Sequence, residues 1–405
     1  MLARKALAGT AGAPKLYVED VFSCFLYTGN SSTNTITNGI DLSTEGGLVW
    51  CKSRASAYDH ALYDTARGIN KELYSNTTAA QYSGTGTLTA FNSNGFTLGA
   101  NGSANSDSSV SWTFRKAKKF FDVVTYTGTG SPRTVSHNLG SAPGCIIVKR
   151  YDSTGSWAVW HRSGTQTNGK FGAFLNTTGA YEDQANNLWG SETVAPDMNA
   201  STFGVGTAGS TNSNGSTYVA YLFAHDAGGF GDAGSDSIIK CGSVVGSSQV
   251  EVSLGWEPQW LLVKNASAAQ DWWLVDNMRG LPVQDTSSAY NASNLRPNLS
   301  DAETTGFSIA PSATGFKANV LTSSQTYIYI AIRRGPMKTP TSGTSVFAVT
   351  SFTGVDAAQT SNFPVDFVMN SENLTGTVGW YWVDRLRGAT KKLESNASNA
   401  EGSVS

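Results

Sequence analysis

The stretch Ala61-Leu62-Tyr63-Asp64-Thr65-Ala66-Arg67-Gly68 returns as Trp273-Leu274-Val275-Asp276-Asn277-Met278-Arg279-Gly280, and again as Tyr381-Trp382-Val383-Asp384-Arg385-Leu386-Arg387-Gly388. Three copies of Asp-x-x-Arg-Gly, each behind apolar residues, decide how the chain is read. A catalytic site is seldom needed in triplicate, whereas a structural module often is. Each residue type has a task in a loop. The Asp accepts backbone N–H groups of a turn. The Arg presents a fork of donors to a carboxylate or to loop carbonyls. The Gly permits the positive φ with which the chain turns back. Asp64, Arg67, Gly68, Asp276, Arg279, Gly280, Asp384, Arg387 and Gly388 therefore read as a structural loop clamp. A looser copy at 157–164 keeps an arginine, Arg162, and carries Val159 where the acid is expected. A clamp survives the loss of one arm; a catalytic pair does not.

The motif is one landmark of a longer unit. Arg67, Arg162, Arg279 and Arg387 are 95, 117 and 108 positions apart, which is a domain-sized period. Upstream in each of the first three units lies an apolar run closed by lysine: Leu48–Lys52, Ile146–Lys149 and Leu261–Lys264. Lys52 to Asp64 and Lys264 to Asp276 are both twelve positions. Short runs rich in Val, Ile, Tyr, Trp and Phe alternate with Gly, Asn, Ser and Thr loops, the pattern of an all-β chain. The expectation is a series of tandem β-sandwich domains of about 100 residues, each with its own core, joined by short Gly/Pro-rich linkers. The boundaries are an N-terminal docking arm at 1–22, then units at 23–119, 120–232, 233–340 and an incomplete one at 341–405. Helix is expected only near Ala57–Arg67. The fourth unit lacks its last strands, which predicts a polypeptide continuing past Ser405 or completion by a neighbour.

Composition narrows the function. Hydrophobic residues are 40% and aromatics 11%, while charged residues are only 14%, well under the roughly 25% of ordinary domains. The surface is thus built from Ser, Thr, Asn and the 43 Gly. A net charge of −2 offers no pull towards nucleic acid. No apolar run is long enough to span a bilayer as a helix, and the N-terminus has no secretory pattern. Cys24, Cys51, Cys145 and Cys241 are scattered and read as buried free thiols of a reducing cytoplasm. The four His lack metal-site spacing, so no metal and no cofactor are expected. Asp226, Asp232 and Asp236 share one Gly-rich segment and read as a solvated loop. Trp272, Trp273, Trp380, Tyr381 and Trp382 place aromatics on both faces of a strand; one face suits the core, the other a sugar ring or a neighbouring unit.

The run GIDLSTEGGLVWCKSRASAYDHALYDTARG at 39–68, with LYSNTTAA at 73–80, AFNSNGFTLG at 90–99, MLARKALAGTAG at 1–12 and KFFDVVTYTGTG at 119–130, resembles a repeat domain found in tail and tail-fibre virion proteins of tailed bacteriophages. The resemblance implies a structural protein of the tail, a fibre or a baseplate-attached adsorption protein, and not an enzyme. It implies a symmetric homo-oligomer, with a homotrimer the expected state. Other tail proteins would dock through the arm, and assembly in the host cytoplasm would precede location in the virion. An array of carbohydrate-binding modules for host surface glycan is the alternative. A polysaccharide depolymerase is the third reading; it requires two carboxyl groups about 5–9.5 Å apart in a cleft.

Overall fold

A computed structural model describes residues 15–403 apart from 165–167, 191–195, 282–291, 320, 341, 352–360, 362–364, 372–379, 385–390 and 396. The chain is all-β; among the described residues its α-helix is confined to two single turns, α1 (Val18–Val21) and α2 (Gly209–Asn212). The helix expected near Ala57–Arg67 is instead a strand and a turn.

The first unit contains β1 (Phe22–Thr28), β2 (Asn34–Thr37), β3 (Gly47–Ser53), β4 (Ala61–Asp64), β5 (Lys71–Tyr74), β6 (Tyr82–Ser83), β7 (Leu88–Asn92), β8 (Gly95–Leu98) and β9 (Ser108–Arg115). They form one large antiparallel sheet, β1-β9-β3-β4-β5-β6, and one small sheet, β2-β8-β7. The second unit repeats the plan with β10 (Phe121–Thr127), β11 (Arg133–Ser136), β12 (Pro143–Arg150), β13 (Trp157–His161), β14 (Phe171–Phe174), β15 (Glu182–Asp183), β16 (Thr202–Val205) and β17 (Thr217–Ala224). Its sheets are β10-β17-β12-β13-β14-β15 and β11-β16. The third contains β18 (Ile239–Val245), β19 (Val250–Ser253), β20 (Pro258–Asn265), β21 (Trp272–Asp276), β22 (Ala292–Asn294), β23 (Thr304–Phe307), β24 (Ile309–Ser312), β25 (Gly315–Ala318) and β26 (Thr326–Arg333). Here β18-β26-β20-β21 is the large sheet and β19-β25-β24 the small one. A fourth, partial unit has β27 (Phe367–Ser371), β28 (Trp380–Asp384), β29 (Lys391–Glu394) and β30 (Gly402–Ser403) in one sheet.

Each of the first three units is two-layered, but they are not separate beads. Successive side chains of a strand point to opposite faces, and β3 is buried along its whole length. Val49 and Cys51 face the small sheet of their own unit, packing with Ile36, Phe96 and Leu98. Leu48 and Trp50 face the other way, into a core shared with the second and third units. The third unit divides in the same manner: Leu261 and Val263 lie in its own cluster, Trp260 and Leu262 in the shared one. A small sheet covers only one face of a large sheet. The second apolar face must find cover elsewhere, and it finds it on its two neighbours. On the axis the Phe114 ring lies 5.6 Å from that of Phe223 and 5.7 Å from that of Trp260, one ring from each unit.

Equivalent backbone bonds close the three large sheets into a ring. Gln81 N donates to Tyr151 O at 2.9 Å, Tyr181 N to Ala266 O at 3.0 Å, and Glu303 N to Arg54 O at 2.8 Å. First joins second, second joins third, and third returns to first. The segments expected as linkers are pinned to this body: Lys119 N donates to Leu139 O, Phe230 is buried, and Gly231 N donates to Leu16 O. The expected docking arm divides. Residues 1–14 lie outside the described residues, whereas 15–21 seal one end of the ring. Val18 and Val21 are fully buried there, and the Glu19 carboxylate accepts the Met337 and Lys338 N–H groups at 3.0 and 2.7 Å.

Candidate functional site

The clamp motif sits where β4 and β21 end, at the seam between units. Asp64 Oδ1 accepts the Arg67 N–H at 2.9 Å, and Oδ2 takes Arg67 Nε at 2.6 Å. The guanidinium also donates to Leu62 O and Gln81 Oε1, both at 3.1 Å. This much is a loop brace within one unit. Oδ2 accepts one further bond, from the Tyr221 hydroxyl of the second unit at 2.8 Å. The third unit repeats the geometry. Asp276 Oδ1 accepts the Met278 and Arg279 N–H groups, both at 3.0 Å, and Oδ2 accepts Arg279 Nε at 2.7 Å. Its further donor is Trp112 Nε1 of the first unit, at 2.8 Å. The Arg279 guanidinium lies 5.4 Å from the centre of that indole and donates to Leu274 O and Glu303. All four charged side chains are at most 1% exposed. Gly68 and Gly280 follow with φ of +91° and +104°; a Cβ at either would meet nothing within 4 Å, so the backbone angle, not space, demands glycine.

Strand register corrects the sequence reading of the second unit. Leu48 pairs with Asp64 and Phe114, Trp260 with Asp276 and Ile332, and Cys145 with His161 and Phe223. The residue at the acid position is therefore His161, not Val159. Arg162 corresponds to Thr65 and Asn277, as its N–H bond to Gly144 O matches theirs to Gly47 O and Gln259 O. It is exposed and is not the counterpart of Arg67. That place belongs to Gly164, where a Cβ would come within 2.4 Å of the Tyr181 ring. Tyr181 fills the room that the arginine takes elsewhere, and its hydroxyl accepts the His161 N–H at 3.3 Å. His161 Nδ1 accepts the Ser163 N–H at 3.2 Å, as Asp276 Oδ1 accepts that of Met278. Nε2 therefore carries the proton and donates to Tyr329 O of the third unit at 3.0 Å. Burial holds the ring neutral, its pKa pushed down to about 4. The substitution is explained by its neighbour. Trp112, Tyr221 and Ile330 occupy one register position on β9, β17 and β26. Two can donate to a carboxylate; Ile330 cannot. A signal was present in the sequence: twelve positions beyond Lys149 lies His161.

The other end of the seam uses the same strands. Lys52, Lys149 and Lys264 are fully buried. Lys149 Nζ donates to Gly155 O of its own loop and to Thr78 O of the first unit; Lys264 Nζ donates to Gln270 O and to Thr178 O of the second. Burial pushes all three pKa values down to about 8. Trp157 Nε1 donates to Tyr74 O at 3.0 Å and Trp272 Nε1 to Phe174 O at 3.1 Å, again across units. Trp272 is thus core, not a sugar platform, and Trp273 stacks on Tyr327 at 6.4 Å between centres. Trp380 and Trp382 are exposed, with Tyr381 between them half-buried. Asp384 ends β28; Arg387 and Gly388 lie outside the described residues.

Neither of two surface clefts gathers an acid pair. One, lined by Leu42, Glu45, Thr65, Ile69, Phe91 and Lys116, has Glu45 as its one carboxylate, and Arg115 pairs with it. The other, lined by Pro143, Trp160, Arg162, Pro196, Met198 and His225, has none. Asp226, Asp232 and Asp236 each go to a different cation: Lys240, Lys15 and Arg333. Among the described residues no three His, Cys, Asp or Glu side chains gather as metal ligands, and no helix is long and apolar enough to cross a membrane. All four cysteines are free and buried.

Residues 18–336 match the model of a domain of unknown function, DUF7483, and the chain belongs to that family. The match covers α1 and the three ring-forming units and stops before the fourth. No curated protein matches the chain.

Proposed function

We propose that this member of the DUF7483 family is a structural component of a bacteriophage tail, a tail-fibre or baseplate-attached protein acting in virion assembly and host attachment, without catalysis of its own. The observation that carries the non-catalytic part is the fate of the repeated charges. Asp64 and Asp276 are fully buried, and their carboxylates are occupied by their own arginine and by a donor from the next unit. Groups held this way brace a scaffold and leave no base facing a substrate. The virion part is supported by the resemblance of 39–68, 73–80 and 90–99 to tail proteins, and by a charge-poor, interlocked body suited to life outside the cell. Mass spectrometry and antibody labelling of purified particles test it: the chain is expected at fixed stoichiometry on the tail, and its absence from particles overturns the reading.

One observation favours a second reading, direct recognition of host glycan. Trp380 and Trp382 are 47% and 37% exposed, and an open indole face stacks on sugar rings. Under that reading a surface-polysaccharide binding assay shows saturable binding that Trp382→Ala abolishes. Binding that survives the substitution removes it.

A further inference from the structure

The two surface clefts are one corner of the repeat, met twice. Lys116 follows β9 as His225 follows β17, and Thr65 and Arg162 hold one place in the turn. Phe91 pairs with Phe96 as Met198 pairs with Phe203. The third unit has the same corner. Pro143 pairs with Ala224 as Pro258 pairs with Arg333, so Ala142 holds the place of Glu257, and His225 that of Arg334.

Charge at this corner is balanced in the first and third units. Glu45 meets Arg115 at 2.9 Å, and Lys116 meets Asp122 at 3.2 Å. Glu257 lies 3.7 Å from Arg334, which also takes Asp366 of the fourth unit at 2.6 Å. The second unit differs. Ala142 stands in place of the acid, and Arg162 replaces the neutral Thr65 and Asn277. Among the described residues no carboxylate lines this cleft, and the Arg162 guanidinium has no hydrogen-bond or ion-pair partner there. His225 Nδ1 accepts the Cys241 N–H at 3.1 Å, so Nε2 carries the proton and is a second donor. The Ser141 hydroxyl has no partner either. Pro143, Pro196 and Met198 supply an apolar wall, and the cleft holds about 400 Å³, the size of a small-ligand site.

We propose that the cleft of the second unit binds a sugar acid of the hexuronate class, held by its carboxylate. The acid absent from this unit states the charge of the ligand: one carboxylate, answering Arg162 and His225 where Glu257 answers Arg334. Planar two-point recognition of a carboxylate suits a guanidinium. Ring hydroxyls pair with Ser141, and the carbon face of the ring lies on Pro196 and Met198. An acidic peptide side chain would supply the carboxylate and leave the hydroxyl and the apolar wall unanswered. The site is on a different unit from Trp380 and Trp382, and it does not rest on the virion reading.

Saturation-transfer NMR of the full chain titrated with sodium glucuronate tests it. At the efficiency of ordinary small ligands, a single sugar ring should bind with a Kd of about 1 mM. Glucose, which lacks the carboxylate, and acetate, which lacks the ring, should each bind about tenfold more weakly or worse. Arg162→Met should lower glucuronate affinity by about tenfold or more with the melting temperature unchanged, since Arg162 is exposed and surface changes of this kind cost little. Ala142→Glu, which restores the carboxylate of the third unit, should lower it as far, while Trp382→Ala should leave it as it is. The proposal is overturned by no saturation at about 20 mM glucuronate, by equal binding of glucose or acetate, by binding that Arg162→Met or Ala142→Glu leaves intact, or by loss of binding in Trp382→Ala. A blocked tri-aspartate peptide that binds more tightly than glucuronate also overturns it, and would give the cleft to a protein carboxylate.

Discussion

Asp276 turns its two oxygens to different tasks. One holds its own turn; the other holds Trp112, 164 positions away. Removing the side chain leaves Arg279 buried without its counter-charge, so Asp276→Ala is expected to cost about 3–5 kcal/mol of stability in urea unfolding. Tyr221→Phe removes the donor to Asp64 together with the weaker acceptor for Arg67 Nη2 at 3.4 Å and should cost about 1.5–3 kcal/mol. A loss under ~0.5 kcal/mol in both would mean that the seam is not held at these points. His161 gives the seam an acid limit. It takes up a proton near pH 4 when folded and near 6.5 when unfolded. The unfolded chain holds more protons between those values, so stability rises with pH through that window and is complete above it. His161→Asn keeps an acceptor at the Nδ1 position without titrating. Its melting temperature should fall less between pH 6.5 and 4 than that of the parent chain; an equal fall would assign the acid limit to other groups. Arg67 and Gly68 were legible in the sequence because their task is local. The place of His161 was legible in its spacing from Lys149, but the reason for a histidine there was not, because it answers to Ile330 on another unit.

At the scale of the strand, β3, β12 and β20 explain both the fold and a second pH effect. Their unbroken apolar runs mark strands buried on two faces, one towards the small sheet and one towards the axis. Each ends in a lysine whose charge burial disfavours, with a pKa near 8 against about 10.4 when unfolded. Above pH 8 the folded chain has released these protons and the unfolded chain has not, so stability should rise with pH from about 8 to 9.5. Near pH 10 the buried tyrosines oppose it, because burial holds Tyr63 and Tyr221 protonated in the fold. Replacing Lys149 by Met should flatten this rise by about a third, measured as unfolding free energy across the range; an unchanged slope would place the effect elsewhere. The strands themselves were readable from alternation and turn residues. The double burial of β3 was written in Leu-Val-Trp-Cys, but its second cover was not.

For the whole molecule, one core shared by three units joins the private clusters of the first and third. Residues 15–338 should therefore unfold as one cooperative body, with calorimetric and van't Hoff enthalpies equal for that transition. The isolated second unit, 120–232, should stay unfolded, since its inward face has lost both neighbours. A folded, monomeric 120–232 would restore the picture of independent beads.

The sequence by itself determined the class of structure and the length of the repeat. It also determined the brace in the first and third loops, because strand alternation, turn residues and the Asp–Arg contact act over a few positions. The tertiary structure decided which residue of the second unit stands in the acid's place, why Trp272 is core, and how three units close on one axis. Those outcomes depend on partners about 80 to 170 positions away in the chain. Apolar side chains attract without direction, so a strand's composition states that a face needs cover and leaves unsaid which face will cover it.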